Sequence, residues 1–118
     1  MTDRLTEFRT FRERMNERIL EAGNLEIKRF FALDDRVYRE GALPVKTKEL
    51  LGLVASTVLR CDDCISYHVL RCKEEGVTDE EIFESLSVAL VVGGSITIPH
   101  LRRAVAFLDE IGADDQRS

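Results

Sequence analysis

Cys61, Cys64 and His68 stand in the run Cys61-Asp62-Asp63-Cys64-Ile65-Ser66-Tyr67-His68, and Glu49 lies twelve positions before the first cysteine. Two thiols at i and i+3 can close a short disulfide. On a helix, a histidine four residues beyond the second thiol shares its face and can take or give its proton. A carboxylate on a neighbouring helix can orient that imidazole. Together these four side chains form a dithiol with its own acid–base apparatus, and the chemistry they suggest is redox.

With Cys61 at the N-cap of a helix, both sulfurs would lie near unpaired backbone amides, where the helix dipole favours the attacking thiolate. Asp62 and Asp63 suit a helix N-terminus, but their charges oppose thiolate formation. The dipole and His68 must outweigh them if Cys64 is to react quickly at neutral pH.

Other readings of the same residues stand beside this one. Cys61, Cys64, His68 and Cys72 superficially resemble a zinc knuckle. On one helix, however, Cys64 and Cys72 are ~12 Å apart along the axis, while zinc holds its ligands ~2 Å from one point. A site of Cys61, Cys64 and His68 alone stays open. The same separation bars a Cys64–Cys72 disulfide and makes Cys72 a small core or interface residue. Glu49 could equally belong, with Lys46 and Lys48, to the exposed start of a helix. His100 has no thiol or acid motif around it and reads as structural or surface. Tyr67 reads as a packing residue.

The elements that must position these side chains are helical, and no segment alternates like a strand. Leu5, Phe8, Phe11 or Arg12, Met15 and Ile19 form a first amphipathic stripe that closes at Gly23. Asn24 can cap a second helix through Ile27, Phe30, Phe31, Val37 and Tyr38, ending at Gly41. A third is expected from about Thr47 to Leu59, apolar on more than one side and therefore nearly fully buried. A break near Arg60 leaves Cys61 at the entrance of a fourth, which ends at Gly76. Thr78-Asp79-Glu80-Glu81 is a capping box for a fifth, ended by Gly93-Gly94. The last starts between Ser95 and Pro99, runs to Gly112, and leaves 113–118 as a frayed tail. The expected fold class is all-α, with about six helices in a single domain over 1–118.

Composition narrows the function. In 118 residues, 33% are charged and 44% hydrophobic, the balance of a soluble globular chain. A formal net charge of −5 and the lack of any Lys/Arg-rich stretch argue against nucleic acid. The first residues carry no apolar secretory segment. The longest uncharged run, Ser85 to Pro99, is too short to cross a bilayer, so no membrane role is expected. Three cysteines without a secretory leader suggest a reducing cytoplasm, where a thiol pair is catalytic, metal-binding or incidental.

The stretch Lys46-Thr47-Lys48-Glu49-Leu50-Leu51-Gly52-Leu53-Val54-Ala55-Ser56, followed by Cys61-Asp62-Asp63-Cys64 and His68, resembles the alkylhydroperoxidase D (AhpD-like) branch of the carboxymuconolactone decarboxylase family. The similarity covers roughly residues 30 to 110. It implies an all-helical subunit packed across subunit boundaries, commonly in trimers or hexamers. It also implies thiol peroxidase chemistry without a bound cofactor. Cys64 would be the peroxidatic thiol, Cys61 its resolving partner, His68 the proton acceptor, and Glu49 the group that completes the relay through water. The implied substrate is a small organic hydroperoxide, and the implied reductant an external dithiol on a thioredoxin-like or lipoyl-bearing protein. One position departs from the founding peroxidase, which has histidine immediately before the peroxidatic cysteine; here Asp63 stands there. The decarboxylase that names the family lacks the cysteine pair.

Two further functions remain open. One is proton transfer or decarboxylation by His68 and Glu49, with the cysteines as bystanders. The other is a non-catalytic helical assembly module whose dithiol senses oxidation.

Overall fold

The computed structural model describes residues 3–117. Six α-helices account for most of them: α1 Arg4–Glu21, α2 Leu25–Val37, α3 Val45–Val58, α4 Asp62–Glu74, α5 Asp79–Gly93 and α6 Ile98–Arg117, with one 3-10 turn at Ser95–Thr97. No strand occurs among the described residues, so the all-α expectation holds. No helix among them is long and apolar enough to cross a membrane.

The chain divides into two compact units with the boundary between Arg39 and Glu40. The first holds α1 and α2. Asp3 caps α1 by accepting from the Thr6 amide at 2.8 Å, and Asn24 caps α2 by accepting from Ile27 at 3.0 Å. Each cap satisfies one of the amides that a helix start leaves unpaired. The second helix stops at Val37, short of the expected Gly41.

The second unit holds the chemistry. α3 packs on α4 and α5, and α6 packs on α4. Their common core is Leu53 of α3, Ile65 and Val69 of α4, Ile82, Leu86 and Ala89 of α5, and Ala104, Phe107, Leu108 and Ile111 of α6. Full burial of each large apolar side chain stabilises the fold by about 1.5–3 kcal/mol. α3 begins at Val45, two residues earlier than expected, because Pro44 takes the N-cap position with extended backbone.

Two sharp turns of the same kind set the position of α4. At the end of α3 the Cys61 amide donates to Ser56 O at 3.1 Å and Arg60 adopts φ +62°. At the end of α4 the Val77 amide donates to Cys72 O at 2.9 Å and Gly76 adopts φ +84°. Both are left-handed helix stops that satisfy orphaned carbonyls. The first uses arginine where glycine is easier, and it delivers Cys61 directly to the N-cap of α4. α5 then starts from the expected Thr78 capping box, with Glu81 N–H donating to Thr78 Oγ1 and Thr78 N–H to Glu81 Oε1.

α6 corrects the expected C-terminal boundary. The helix passes through Gly112 and continues to Arg117, so 113–117 are helical and not a frayed tail; Ser118 lies outside the described residues. The apolar stripe through Leu108 and Ile111 carries the helix past a glycine that has helical backbone there.

Candidate functional site

Cys61 and Cys64 are joined in a disulfide, with their Cα atoms 5.3 Å apart. Cys61 is the N-cap of α4, and its Sγ accepts from the Cys64 amide at 3.3 Å. A sulfur in that position faces the amide-rich end of a helix dipole, which stabilises the thiolate form once the bridge is reduced. Cys64, in the first turn, is the more exposed of the two residues, and Cys61 is half-buried.

One helical turn beyond Cys64, His68 is buried within α4. Its Nδ1 lies 2.8 Å from Glu49 Oε1 of α3, in a contact between two side chains that are 9% and 1% exposed. Glu49 therefore does not belong to a solvated helix start. Lys46 and Lys48 flank it, but Glu49 faces inward between α3 and α4, one turn before the fully buried Leu53. A carboxylate in this place accepts from Nδ1–H and leaves the neutral imidazole's lone pair on Nε2.

The second Glu49 oxygen lies 3.6 Å from Arg71 Nε and has no hydrogen-bond partner among the described residues. Arg71 follows His68 by three residues on the same helix and also holds Glu74 at 2.7 Å and Glu75 at 3.2 Å. Hydrogen bonding to Glu74, with the charge of Glu49 adding to it, keeps its guanidinium pKa above the ordinary arginine value. The buried acid thus has a permanent cation on one side and an imidazole on the other. Tyr67 packs edge-on to the His68 ring, with centroids 5.1 Å apart.

His100 stands as a structural residue, as expected, in a contact that no motif in the chain signals. His100 is half-buried and hydrogen-bonded, with Nδ1 2.7 Å from Asp62 Oδ1, while Arg103 Nε donates to Asp62 Oδ2 at 2.8 Å. Their separations of 38 and 41 residues from Asp62 leave no local signal in the sequence. Arg71 was findable, since positions 64, 68 and 71 fall on one helical face. Cys72 is fully buried, and burial pushes its thiol pKa up to about 12, so it stays a protonated core residue at neutral pH. Among the described residues no group of three or more His, Cys, Asp or Glu side chains is arranged to hold a metal ion.

The pattern of the carboxymuconolactone decarboxylase family matches residues 27–107, most of the chain and all of this site. The chain belongs to the carboxymuconolactone decarboxylase family. Within the family, this member is 62% identical to TM1620 from Thermotoga maritima, over 95% of this chain and 98% of that one, with a TM-score of 0.92. A second crystal structure of TM1620, at TM-score 0.90, describes it as a family protein with a suggested part in an antioxidative response. "Uncharacterized protein 4 in cox locus" of Paracoccus denitrificans is 38% identical over 82 residues, covering 70% of this chain and 74% of its own length. An alkyl hydroperoxide reductase AhpD from Corynebacterium aurimucosum is 37% identical over 62 residues, which span 52% of this chain and 35% of that protein. The AhpD-like branch of the family is therefore the one this member resembles, and it carries the Cys-x-x-Cys pair.

Proposed function

We propose that this family member is a thiol-dependent alkylhydroperoxidase that cycles the Cys61–Cys64 pair between dithiol and disulfide. The observation that carries the reading is the joining of two features on α4: a bridged thiol pair at its N-terminus and, one turn on, a histidine bound to a buried glutamate. The likeness to AhpD adds support.

In the reaction, His68 takes the Cys64 proton and Glu49 stabilises the imidazolium that results. The Cys64 thiolate attacks one oxygen of a small organic hydroperoxide. The O–O bond breaks, the alkoxide leaves and collects the proton from His68 as an alcohol, and Cys64 becomes a sulfenic acid. Cys61 displaces the hydroxyl as water and closes the disulfide. A dithiol on a thioredoxin-like or lipoyl-bearing protein then attacks the bridge, ends as a disulfide itself and restores both thiols. The sum is hydroperoxide plus dithiol giving alcohol, water and disulfide. The greater exposure of Cys64 suits both its meeting with peroxide and its attack by the reductant.

Such a cycle belongs in a reducing cytoplasm. Homo-oligomers, as trimers or hexamers, suit the exposed apolar side chains of the second unit, with Val91 86% and Leu59 76% accessible. Steady-state consumption of hydroperoxide with a reduced dithiol tests the function: Cys64→Ser is expected to abolish it, and parent-like turnover by that variant overturns the reading.

A further inference from the structure

The side chains of Asp62, His100 and Arg103 form a charged cluster, anchored one residue along the chain from Cys61, that the proposed cycle does not use. Asp62 follows Cys61 directly and is the first residue of α4. Both of its oxygens are taken by α6: Oδ1 by His100 Nδ1 at 2.7 Å and Oδ2 by Arg103 Nε at 2.8 Å. Arg103 Nη2 stands 3.3 Å from the same His100 nitrogen, so the three side chains make one group. Asp63, the other acid of this turn, is exposed.

We propose that Arg103 and His100 are positioning residues for the dithiol, which hold the Asp62 carboxylate and cancel the charge it sets against a thiolate at Cys61. The inference rests on the reading of Cys61–Cys64 as a reactive pair. Asp62 is favourable to the helix and unfavourable to the sulfur. A carboxylate at N1 stabilises the helix start through the dipole, yet a negative charge one residue from a thiol raises the thiol pKa. A guanidinium fixed on the carboxylate preserves the first effect and offsets the second. It also ties the N-terminus of α4 to α6, so the sulfurs keep their place while the bridge opens and closes. The imidazole adds a hydrogen bond from a half-buried position that does not rely on a second permanent cation.

The test is the rate of alkylation of the reduced dithiol by iodoacetamide at pH 7, with the modified peptide mapped by mass spectrometry so that Cys72 is scored apart. A unit charge near a surface thiol changes that rate on the order of threefold, since the gain in thiolate fraction is partly offset by lower nucleophilicity. Asp62→Asn is expected to react faster than the parent and Arg103→Gln slower. Asp62→Asn/Arg103→Gln should return to the parent rate, and Arg103→Lys, which keeps the cation, should stay near it. A merely structural role would slow the variants together. Any other order overturns the proposal. Should Arg103→Gln lose helicity, the contrast between Asp62→Asn and the parent decides, with acceleration in favour and slowing or equality against. The order is read without peroxide, so it can fail while the peroxidase reading stands, and the reverse.

Discussion

The 2.8 Å contact between Glu49 Oε1 and His68 Nδ1 joins two side chains nineteen residues apart and places both out of solvent. A buried carboxylate is costly unless it is paired, and this one has an imidazole at one oxygen and a guanidinium near the other. That arrangement fixes the tautomer of His68 and gives an imidazolium a counter-charge when the ring accepts a proton. Replacing His68 by alanine is expected to lower peroxide turnover by about 10²–10⁴-fold. Glu49→Gln, which keeps an acceptor but removes the charge, should lower it by about 10–100-fold. Turnover under saturating hydroperoxide and dithiol, with helicity checked by circular dichroism, measures both. Parent-like turnover in either variant would remove that residue from the relay.

Cys72 provides a pH-dependent check on the core. Burial raises its thiol pKa to about 12, so the folded state holds this proton more tightly than the unfolded chain does. The corresponding stabilisation is complete below the ordinary thiol pKa and is lost as pH rises from there towards about 12. Urea midpoints are expected to fall across that window in the parent, and this part of the fall should be absent in Cys72→Ala. In the reduced folded protein at pH 8, alkylation should reach the 61 and 64 thiols while Cys72 stays unmodified.

The turns around the site give a pair of opposite outcomes. Arg60 carries a side chain at φ +62°, a conformation that costs a non-glycine residue about 1–2 kcal/mol. Arg60→Gly is therefore expected to raise stability, by about 0.5–1 kcal/mol once the greater freedom of the unfolded glycine is counted. Gly93 is the reverse case. A Cβ there would stand 2.6 Å from Thr97 Cγ2 and 3.6 Å from Val58 Cα, and Thr97 is fully buried and cannot swing away. Gly93→Ala should cost about 1–3 kcal/mol. Urea unfolding of the two variants checks both signs.

Much of this was legible in the sequence because the signals were local. The Thr78–Glu81 box, the Asn24 cap and the stop before Cys61 each involve residues within a few positions, and each forms as expected. Helical periodicity also placed Cys64 and His68 on one face. The partner of His68 was named from the company Glu49 keeps, but its burial could not be read there, because Lys46 and Lys48 beside it are what a solvated helix start looks like. The partner of His100 was not legible for a different reason. Its partner is on another helix, and which faces of α4 and α6 meet is decided by the packing of the two helices and not by any spacing in the chain. The C-terminal boundary differs because the buried apolar stripe that leads into Gly112, through Leu108 and Ile111, outweighs the weak helix propensity of the glycine.

The central claim is that the Cys61 and Cys64 thiols reduce a hydroperoxide to alcohol and water and close their bridge in doing so. It is tested most directly by adding one equivalent of cumene hydroperoxide to the fully reduced protein and mapping the products by mass spectrometry. A loss of two hydrogens within the peptide that spans Cys61 and Cys64, with Cys72 unchanged and one equivalent of alcohol released, is the result expected. Recovery of that peptide as an intact dithiol, with the hydroperoxide unconsumed, would contradict the claim.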